Sequence, residues 1–170
     1  MNRSKSLKYL AAASLFIALD IIFTRFFSLT LFQVERFSLQ FLATSLCGAL
    51  LGPWWGMAAA ATADVLGMLI NSAGASFFPG ITLSAALRGL VYGFGLHNRP
   101  VSYKRVFCTE LIVSFGINVL LNSLWLSMLY GKGYLGLLAL KVPVRVVWVP
   151  LASYLTFICL RALRRNQILQ

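Results

Sequence analysis

The sequence predicts an all-α integral membrane protein, a bundle of six transmembrane helices, for three reasons. Of the 170 residues, 59% are hydrophobic and 11% are charged, and the mean hydropathy is +0.82. A soluble domain is usually about half apolar and about a quarter charged. The apolar residues also form six stretches, and a spanning helix takes roughly 20 residues. We therefore expect a single transmembrane domain over residues 1–170.

The connections between the stretches carry turn-forming or charged residues. Ser28–Arg36 follows the first helix, and Gly52–Gly56 predicts a tight turn because Pro53 cannot continue the preceding helix. Asn71–Gly80 and the basic segment His97–Arg105 are the next loops, before a last turn at Gly131–Gly136. The predicted helices are Tyr9–Phe27, Phe37–Leu51, Met57–Ile70, Ile81–Leu96, Val106–Tyr130 and Leu137–Leu163.

The distribution of Lys and Arg predicts the orientation. Cytoplasmic loops of membrane proteins carry an excess of these residues. One side of the predicted bundle holds nine of the fifteen, and the loops of the other side hold only Arg36 and Lys132. We therefore expect both termini in the cytoplasm. The nine are Arg3, Lys5, Lys8, Arg99, Lys104, Arg105, Arg161, Arg164 and Arg165.

Several function classes are not supported by the sequence. The net charge of +11 would suggest nucleic acid in a soluble protein, but here the charge sits where a membrane protein keeps it, so no nucleic-acid partner is expected. Three separated cysteines and one histidine make a zinc site improbable. The sequence contains no phosphate-binding loop, no His-Glu-x-x-His and no hydrolase triad. We expect neither an enzyme nor a bound cofactor or metal.

Ionisable residues inside the hydrocarbon layer are costly and usually face a cavity or a partner. In the predicted orientation most of them lie in the middle or outer half of the bundle. Glu110 alone lies near the inner end of its helix, where snorkelling to the interface explains it. The others are Asp20, Arg25, Arg36, Asp64, Arg88, Lys141 and Arg145.

These charges allow two interpretations. They could neutralise one another, for example Asp20 with Arg25 or Asp64 with Arg88. Two carboxylates cannot neutralise five cations, however, so an anionic ligand entering from outside is the sharper hypothesis. Its candidate cationic contacts are Arg25, Arg36, Arg88 and Arg145.

Polar and aromatic residues of the outer half add to this candidate site. Asn118, Asn122 and Trp125 follow spacings of four and three, which places them on one stripe of a helix. Phe77 and Phe78 lie in the loop at the predicted outer mouth. These groups predict a flat heteroaromatic ligand with a negatively charged tail.

Small residues at helical spacing predict close helix contacts. Gly48 and Gly52 form one such strip, and Ala85, Gly89 and Gly93 form another, both interpreted mainly as packing within the bundle. For the strip of Ser14 and Ala18 on the first helix, packing and partner binding are left as equal alternatives.

The residues as laid out resemble the substrate-binding S components of energy-coupling factor (ECF) vitamin transporters, and among them the folate-specific S components. The resemblance covers nearly the whole chain. Gly-Pro-x-x-Gly at 52–56 with Asp64 eight residues later is shared by several S components, whereas Phe-Pro-Gly-x-Thr-Leu-Ser-Ala at 78–85 points more narrowly to folate. Asn122-Ser-Leu-Trp125 and Pro143-Val-Arg145 complete it.

The resemblance implies a six-helix fold with a vitamin pocket near the extracellular face. It also implies a complex with a transmembrane coupling protein and two cytoplasmic ATPases, in which the S component reorients in the membrane to deliver its ligand. In the family the first helix presents an Ala-x-x-x-Ala strip to the coupling protein, and Ser14-x-x-x-Ala18 is the nearest match here.

Folate would fit the inferred groups. Asp64, Asn118 or Asn122 could read its pterin edge, and Arg25, Arg36 or Arg145 could bind its glutamate carboxylates. An S component for another vitamin, such as riboflavin or thiamine, and a self-sufficient proton-coupled carrier remain the alternatives.

Overall fold

The computed structural model describes residues 3–25, 28–31, 35–70, 78–131 and 133–165. Within these residues the chain forms helices α1 (Arg3–Arg25), α2 (Gln40–Leu51), α3 (Pro53–Ile70) and α4 (Pro79–Leu96). Helix five follows as three continuous parts, α5 (Tyr103–Leu111), a π-helix (Ile112–Leu121) and α6 (Asn122–Tyr130), and α7 (Tyr134–Arg165) is the sixth rod. The predicted all-α bundle of six helices is confirmed.

The helix boundaries differ from the predicted ones mainly at the starts. Helix α3 begins at Pro53, so the predicted five-residue turn is wrong and reduces to Gly52, whose φ is 93°. Proline is well suited to the first position of a helix because the amide hydrogen it lacks would have no intrahelical partner there. Helix α1 begins six residues before the predicted start at Tyr9, and α7 begins three residues before Leu137.

Two short antiparallel strands connect α1 to α2. Strand β1 (Ser28–Leu31) pairs with β2 (Glu35–Ser38), with Ser28 opposite Ser38 and Leu31 opposite Glu35. This hairpin forms where the sequence predicted the outer segment Ser28–Arg36, and it includes Phe37, so the predicted start of the second helix at Phe37 is wrong. It defines what we call the hairpin end of the bundle, from which α2 and α4 start.

Helices α2, α3 and α4 contact one another through backbone. A Cβ on Gly48 would lie 2.8 Å from the Gly93 nitrogen, and one on Gly56 would lie 2.9 Å from the Gly89 carbonyl oxygen. A Cβ on Gly89 would in turn collide with the Gly56 carbonyl group, and one on Gly93 with Pro53. The interpretation of these small residues as internal packing is confirmed, and the three helices form one rigid slab.

The remaining helices enclose space beside this slab. Helix α1 packs on α2 and α3, helix five packs on α4 and α7, and α7 also contacts α2. Buried Tyr92, Val106, Val113 and Leu160 join α4, helix five and α7 in one apolar cluster.

The interior is unusually polar and the exterior unusually apolar. Asp20, Glu110 and Lys141 are each at most 3% exposed, whereas Leu69 and Leu135 are each more than three-quarters exposed. Such a pattern is typical of a protein surrounded by lipid, in which ionisable residues face the interior. Among the described residues, two helices, Tyr103–Leu129 and Tyr134–Leu163, are long and apolar enough to cross a membrane by length and composition.

Gly89→Ala should destabilise the protein by about 1–3 kcal/mol, the usual effect of overpacking, because the new methyl group meets the Gly56 backbone. Gly136→Ala is the matched control, since its Cβ meets no atom within 4 Å. Thermal unfolding in detergent measures both. Equal melting temperatures for the two variants would contradict the backbone contact.

Candidate ligand-binding site

An open cavity lies between α2, α4, helix five and α7, with about 420 Å³ of space when its opening to solvent is included. Ser38 and Gln40 place its upper part at the hairpin end, and Glu110, about two turns from the far end of helix five, places its floor deep in the bundle. Its lining residues are Ser38, Gln40, Phe41, Thr44, Arg88, Tyr92, Glu110, Val113, Asn118, Arg145 and Trp148.

The floor of the cavity carries a buried carboxylate. Glu110 is 2% exposed, and its Oε2 accepts a 2.6 Å hydrogen bond from the hydroxyl of Tyr92. Tyr92 is itself 2% exposed. The interpretation of Glu110 as a residue that snorkels to the membrane interface is therefore wrong. Its side chain turns inward, toward the guanidinium groups of the cavity.

Two arginines face this carboxylate from different helices. Arg88 of α4 and Arg145 of α7 both line the cavity, and both lie within electrostatic reach of Glu110. Nη1 of Arg88 donates a 3.2 Å hydrogen bond to Oε1 of Gln40, while its Nε is buried and has no partner among the described atoms. The arrangement presents cationic donors and an anionic acceptor to the same space.

Aromatic and amide groups complete the walls. Phe41 and Trp148 meet edge to face with their ring centroids 5.8 Å apart. Asn118 lies in the π-helix and lines the cavity, and its Oδ1 accepts a 3.4 Å hydrogen bond from Asn122. Nζ of Lys141 lies 3.5 Å from the Asn118 carbonyl oxygen. A planar ligand could pack on the rings while its polar edge met the amide.

The predicted aromatic residues form a separate cluster above the cavity. Trp125 donates through Nε1 to Oγ of Ser84 at 3.1 Å, and its ring lies 5.7 Å from that of Phe78. Both rings crowd Gly80 in the first turn of α4, where a Cβ would lie 2.6 Å from each. The cluster lies at the hairpin end beside the predicted mouth.

The structure brings together three of the predicted ligand-binding residues, Arg88, Asn118 and Arg145, at one cavity. Asp64 is not among the residues that line it; its Oδ2 accepts a 2.8 Å hydrogen bond from Thr82 and links α3 to α4. Phe78, Asn122 and Trp125 are also not lining residues. Phe77 lies outside the described residues, as do the side chains of Arg25 and Arg36.

Other lining residues were missed. Gln40, Tyr92, Glu110 and Trp148 carry no motif, and Gln40 opens a helix as an ordinary polar residue. Tyr92 could have been found, since it follows Arg88 by four residues and so shares its helix face. Glu110 could not, since only the packing of α4 against helix five reveals its partner.

The cavity has the chemistry of a binding site. Among the described residues no group of three or more His, Cys, Asp or Glu side chains could hold a metal ion. A carboxylate that is held by a tyrosine on one oxygen can accept from a ligand on the other, and guanidinium groups bind carboxylates in pairs of hydrogen bonds. A ligand with N–H donors at one place and an anionic group at another would match.

The known proteins to which this chain is similar are transporters. The family model of the thiamine-precursor transporter protein ThiW matches residues 10–165. The folate transporter FolT of Clostridium novyi (strain NT) is 33% identical over 153 residues, which cover 90% of this chain and 88% of that protein. FolT of Leuconostoc mesenteroides subsp. mesenteroides is 36% identical over 99 residues, covering 58% of this chain and 53% of that one.

A solved structure is similar over the same length. The crystal structure of FolT bound with folic acid matches with a TM-score of 0.81 and 33% identity, covering 88% of this chain and 90% of that one.

Tyr92→Phe should destabilise the protein by about 1–3 kcal/mol, since it leaves the buried Glu110 carboxylate without its tyrosine donor. Tyr154→Phe is the control because Tyr154 is exposed. The difference in thermal unfolding temperature between the two variants in detergent checks the hydrogen bond. A Tyr92→Phe variant as stable as the control would show that Glu110 is satisfied in another way.

Proposed function

This chain belongs to the ThiW family and is a relative of the folate transporters FolT, and on that basis we propose that it is the folate-binding S component of an ATP-driven ECF vitamin uptake transporter. In this role it is not an enzyme. It binds folate in the membrane, and separate subunits hydrolyse ATP.

The single observation that carries the proposal is the cavity with charges of both signs. Folate has a pterin ring with N–H donors and an oxo acceptor, an aminobenzoyl ring and a glutamate with two carboxylates. Glu110 and Asn118 offer an acceptor and an amide for the pterin edge. Arg88 and Arg145 offer charge-assisted donors for the carboxylates, and Phe41 and Trp148 offer aromatic walls.

This assignment changes which residue we expect to form hydrogen bonds with the pterin edge. Asp64 is bonded to Thr82 and does not line the cavity, so we assign to Glu110 the contact with the pterin edge for which Asp64, Asn118 and Asn122 were the predicted candidates. We keep Arg25 and Arg36 as further candidates for the carboxylates, because Arg36 lies in the hairpin and Arg25 shortly before it, and the hairpin stands at the upper end of the cavity.

A thiamine precursor is the second candidate ligand, because the matching family model carries that description. The cavity favours folate, since two guanidinium groups suit a ligand with carboxylates better than a neutral or cationic heterocycle.

Titration of the purified protein with folate, followed by Trp fluorescence, tests the proposal, and Trp148 in the cavity wall is the expected reporter. Riboflavin, thiamine and a thiamine precursor are the comparison ligands. Tight binding of folate alone is expected. A tight response to another of these ligands and none to folate would overturn the assignment.

The coupling to ATP is the second part of the proposal. We propose that α1 docks on a transmembrane coupling protein that carries two cytoplasmic ATPases, with both termini of this chain in the cytoplasm. Ser14 and Ala18 are exposed on α1, flanked by exposed Leu15 and Ile22. Small exposed residues let a partner helix approach closely in lipid. Folate uptake by vesicles that contain this chain alone, driven by a proton gradient, would instead favour a self-sufficient carrier.

Two substitutions should show which residue binds which end of the ligand. Arg145→Ala should weaken folate binding by about 10- to 100-fold through the loss of charge-assisted hydrogen bonds, with a similar loss for p-aminobenzoylglutamate. Glu110→Gln should weaken folate and a tail-less pterin while leaving p-aminobenzoylglutamate unchanged. Arg99→Ala, in an exposed loop, is the charge-matched control. Calorimetric titration measures all three. Equal losses for both fragments in both variants would contradict the assigned orientation.

Ser14→Trp should leave folate binding intact and abolish uptake, because the large ring blocks the approach of the coupling protein to α1. Leu151→Trp, at an exposed position of α7, is the control and should retain uptake. Binding in detergent and uptake by cells that express the whole transporter give the two measurements. Reduced binding by Ser14→Trp would show instead that the strip packs within the bundle.

A further inference from the structure

Helix α1 carries a buried carboxylate that the proposed site does not use. Asp20 is 3% exposed and is not among the residues that line the large cavity. Its Oδ1 accepts hydrogen bonds from Thr24 at 3.1 Å and from Nε2 of Gln40 at 2.9 Å. Its Oδ2 accepts from Thr44 at 2.8 Å. A carboxylate with three side-chain donors deep in an apolar bundle is held in one place.

The bond to Asp20 fixes how Gln40 points. The two ends of an amide side chain differ, since its nitrogen only donates and its oxygen only accepts. Asp20 requires a donor on one side of Gln40, and the guanidinium of Arg88 requires an acceptor on the other, where the Nη1 to Oε1 distance is 3.2 Å. Only one orientation of the amide satisfies both charges.

Arg88 is therefore held at the wall of the cavity by Gln40. Its side chain is half-buried, it shares the cavity with Glu110, and Asp20 lies within its electrostatic reach. Its Nε is buried and has no partner among the described atoms, so part of its donor set remains for a ligand. Without the amide oxygen of Gln40, the flexible arginine could turn toward Glu110 and lose that pose.

We propose that Asp20 is a positioning residue for the ligand, acting through Gln40 to hold the Arg88 guanidinium toward the ligand's anionic group. The proposal rests on the proposed function, since it assigns Arg88 to the carboxylates of folate. Asp20, Gln40 and Arg88 belong to α1, α2 and α4, and we call them the relay.

The relay also joins the cavity to the outer face of α1. Asp20 follows Ala18 by two residues, which places the two side chains on roughly opposite faces of the helix. Ala18 is exposed, and Asp20 is buried. A ligand that displaces the Arg88 side chain would therefore also displace Gln40 and Asp20, and with them α1, the helix that carries the exposed strip of Ser14 and Ala18.

A double-mutant cycle tests the relay. Asp20→Asn removes the charge that orients Gln40 while keeping the shape of the side chain, and it should weaken folate binding by about tenfold, the order expected for a hydrogen bond to a charged group. In an Arg88→Ala background the same substitution should have no further effect on affinity, because Asp20 acts through Arg88 alone. Thr24→Val is the matched control, since it removes one donor to Asp20 and leaves Gln40 in place.

A second measurement separates positioning from general damage to the fold. Asp20→Asn should weaken p-aminobenzoylglutamate as much as folate and should leave a tail-less pterin unchanged, whereas a distorted cavity would weaken all three. If Asp20→Asn yields no folded protein, Gln40→Met replaces it in the cycle with Arg88→Ala.

The outcomes distinguish the two proposals. A wild-type protein that does not bind folate overturns the proposed function and the relay together. A wild-type protein that binds folate, with additive effects of Asp20→Asn and Arg88→Ala, overturns the relay alone. Effects that are not additive and are confined to the ligand's tail support the relay.

Discussion

The requirement that a charge buried in apolar surroundings find a counter-charge or hydrogen bonds governs this structure. Asp20, Arg88 and Glu110 come from α1, α4 and helix five, so satisfying them fixes how these helices stand relative to one another. Asp20 is satisfied by hydrogen bonds from α1 and α2, and Glu110 by Tyr92. Arg88 and Arg145 stand on the cavity wall, where a ligand can contact them, and Nε of Arg88 has no partner among the described atoms. The binding site is thus built from the same buried charges that order the helices.

A second constraint, the close backbone packing of α2, α3 and α4, keeps the residues that make these contacts in place. The backbone approach of α2, α3 and α4 leaves no room for side chains at Gly56 and Gly89, so this slab has a single mode of packing. Arg88 precedes Gly89 and therefore leaves the slab at a defined point. The wall of the cavity that carries Arg88 is rigid because its glycines let the helix backbones pack directly against each other. The wall formed by α7 instead contains two prolines within its helix, Pro143 and Pro150.

Much of the fold could be predicted from the sequence because hydropathy and turn residues act locally. Six helices follow from six apolar stretches, and the role of Gly89 follows from its spacing to Gly93. The site was only partly predictable. Arg88, Asn118 and Arg145 stand out as polar residues in apolar segments. Whether the Asp64 side chain faces the cavity or instead faces Thr82 depends on the rotation of α3 against α4, which the amino-acid composition does not determine. The position of Glu110 was predicted wrongly for the same reason. Its place near the inner end of the predicted helix suggested the membrane interface, but the packing of the helices brings it against Tyr92.

The π-helix at Ile112–Leu121 determines how this region of the chain can change in length. The amide of Asn122 bonds to the carbonyl of Ile117, five residues back, so each turn here holds more residues than an α-turn. Deleting one residue between Glu110 and Asn118 could restore ordinary α-helical bonding without breaking the rod. An α-turn completes nearly the same rotation with fewer residues than a π-turn, so the residues after such a deletion would keep nearly the same faces relative to α5. This segment could therefore lose one residue while Asn118 still faced the Glu110 side of the cavity, whereas in an ordinary α-helix one deletion turns every later residue by about 100°.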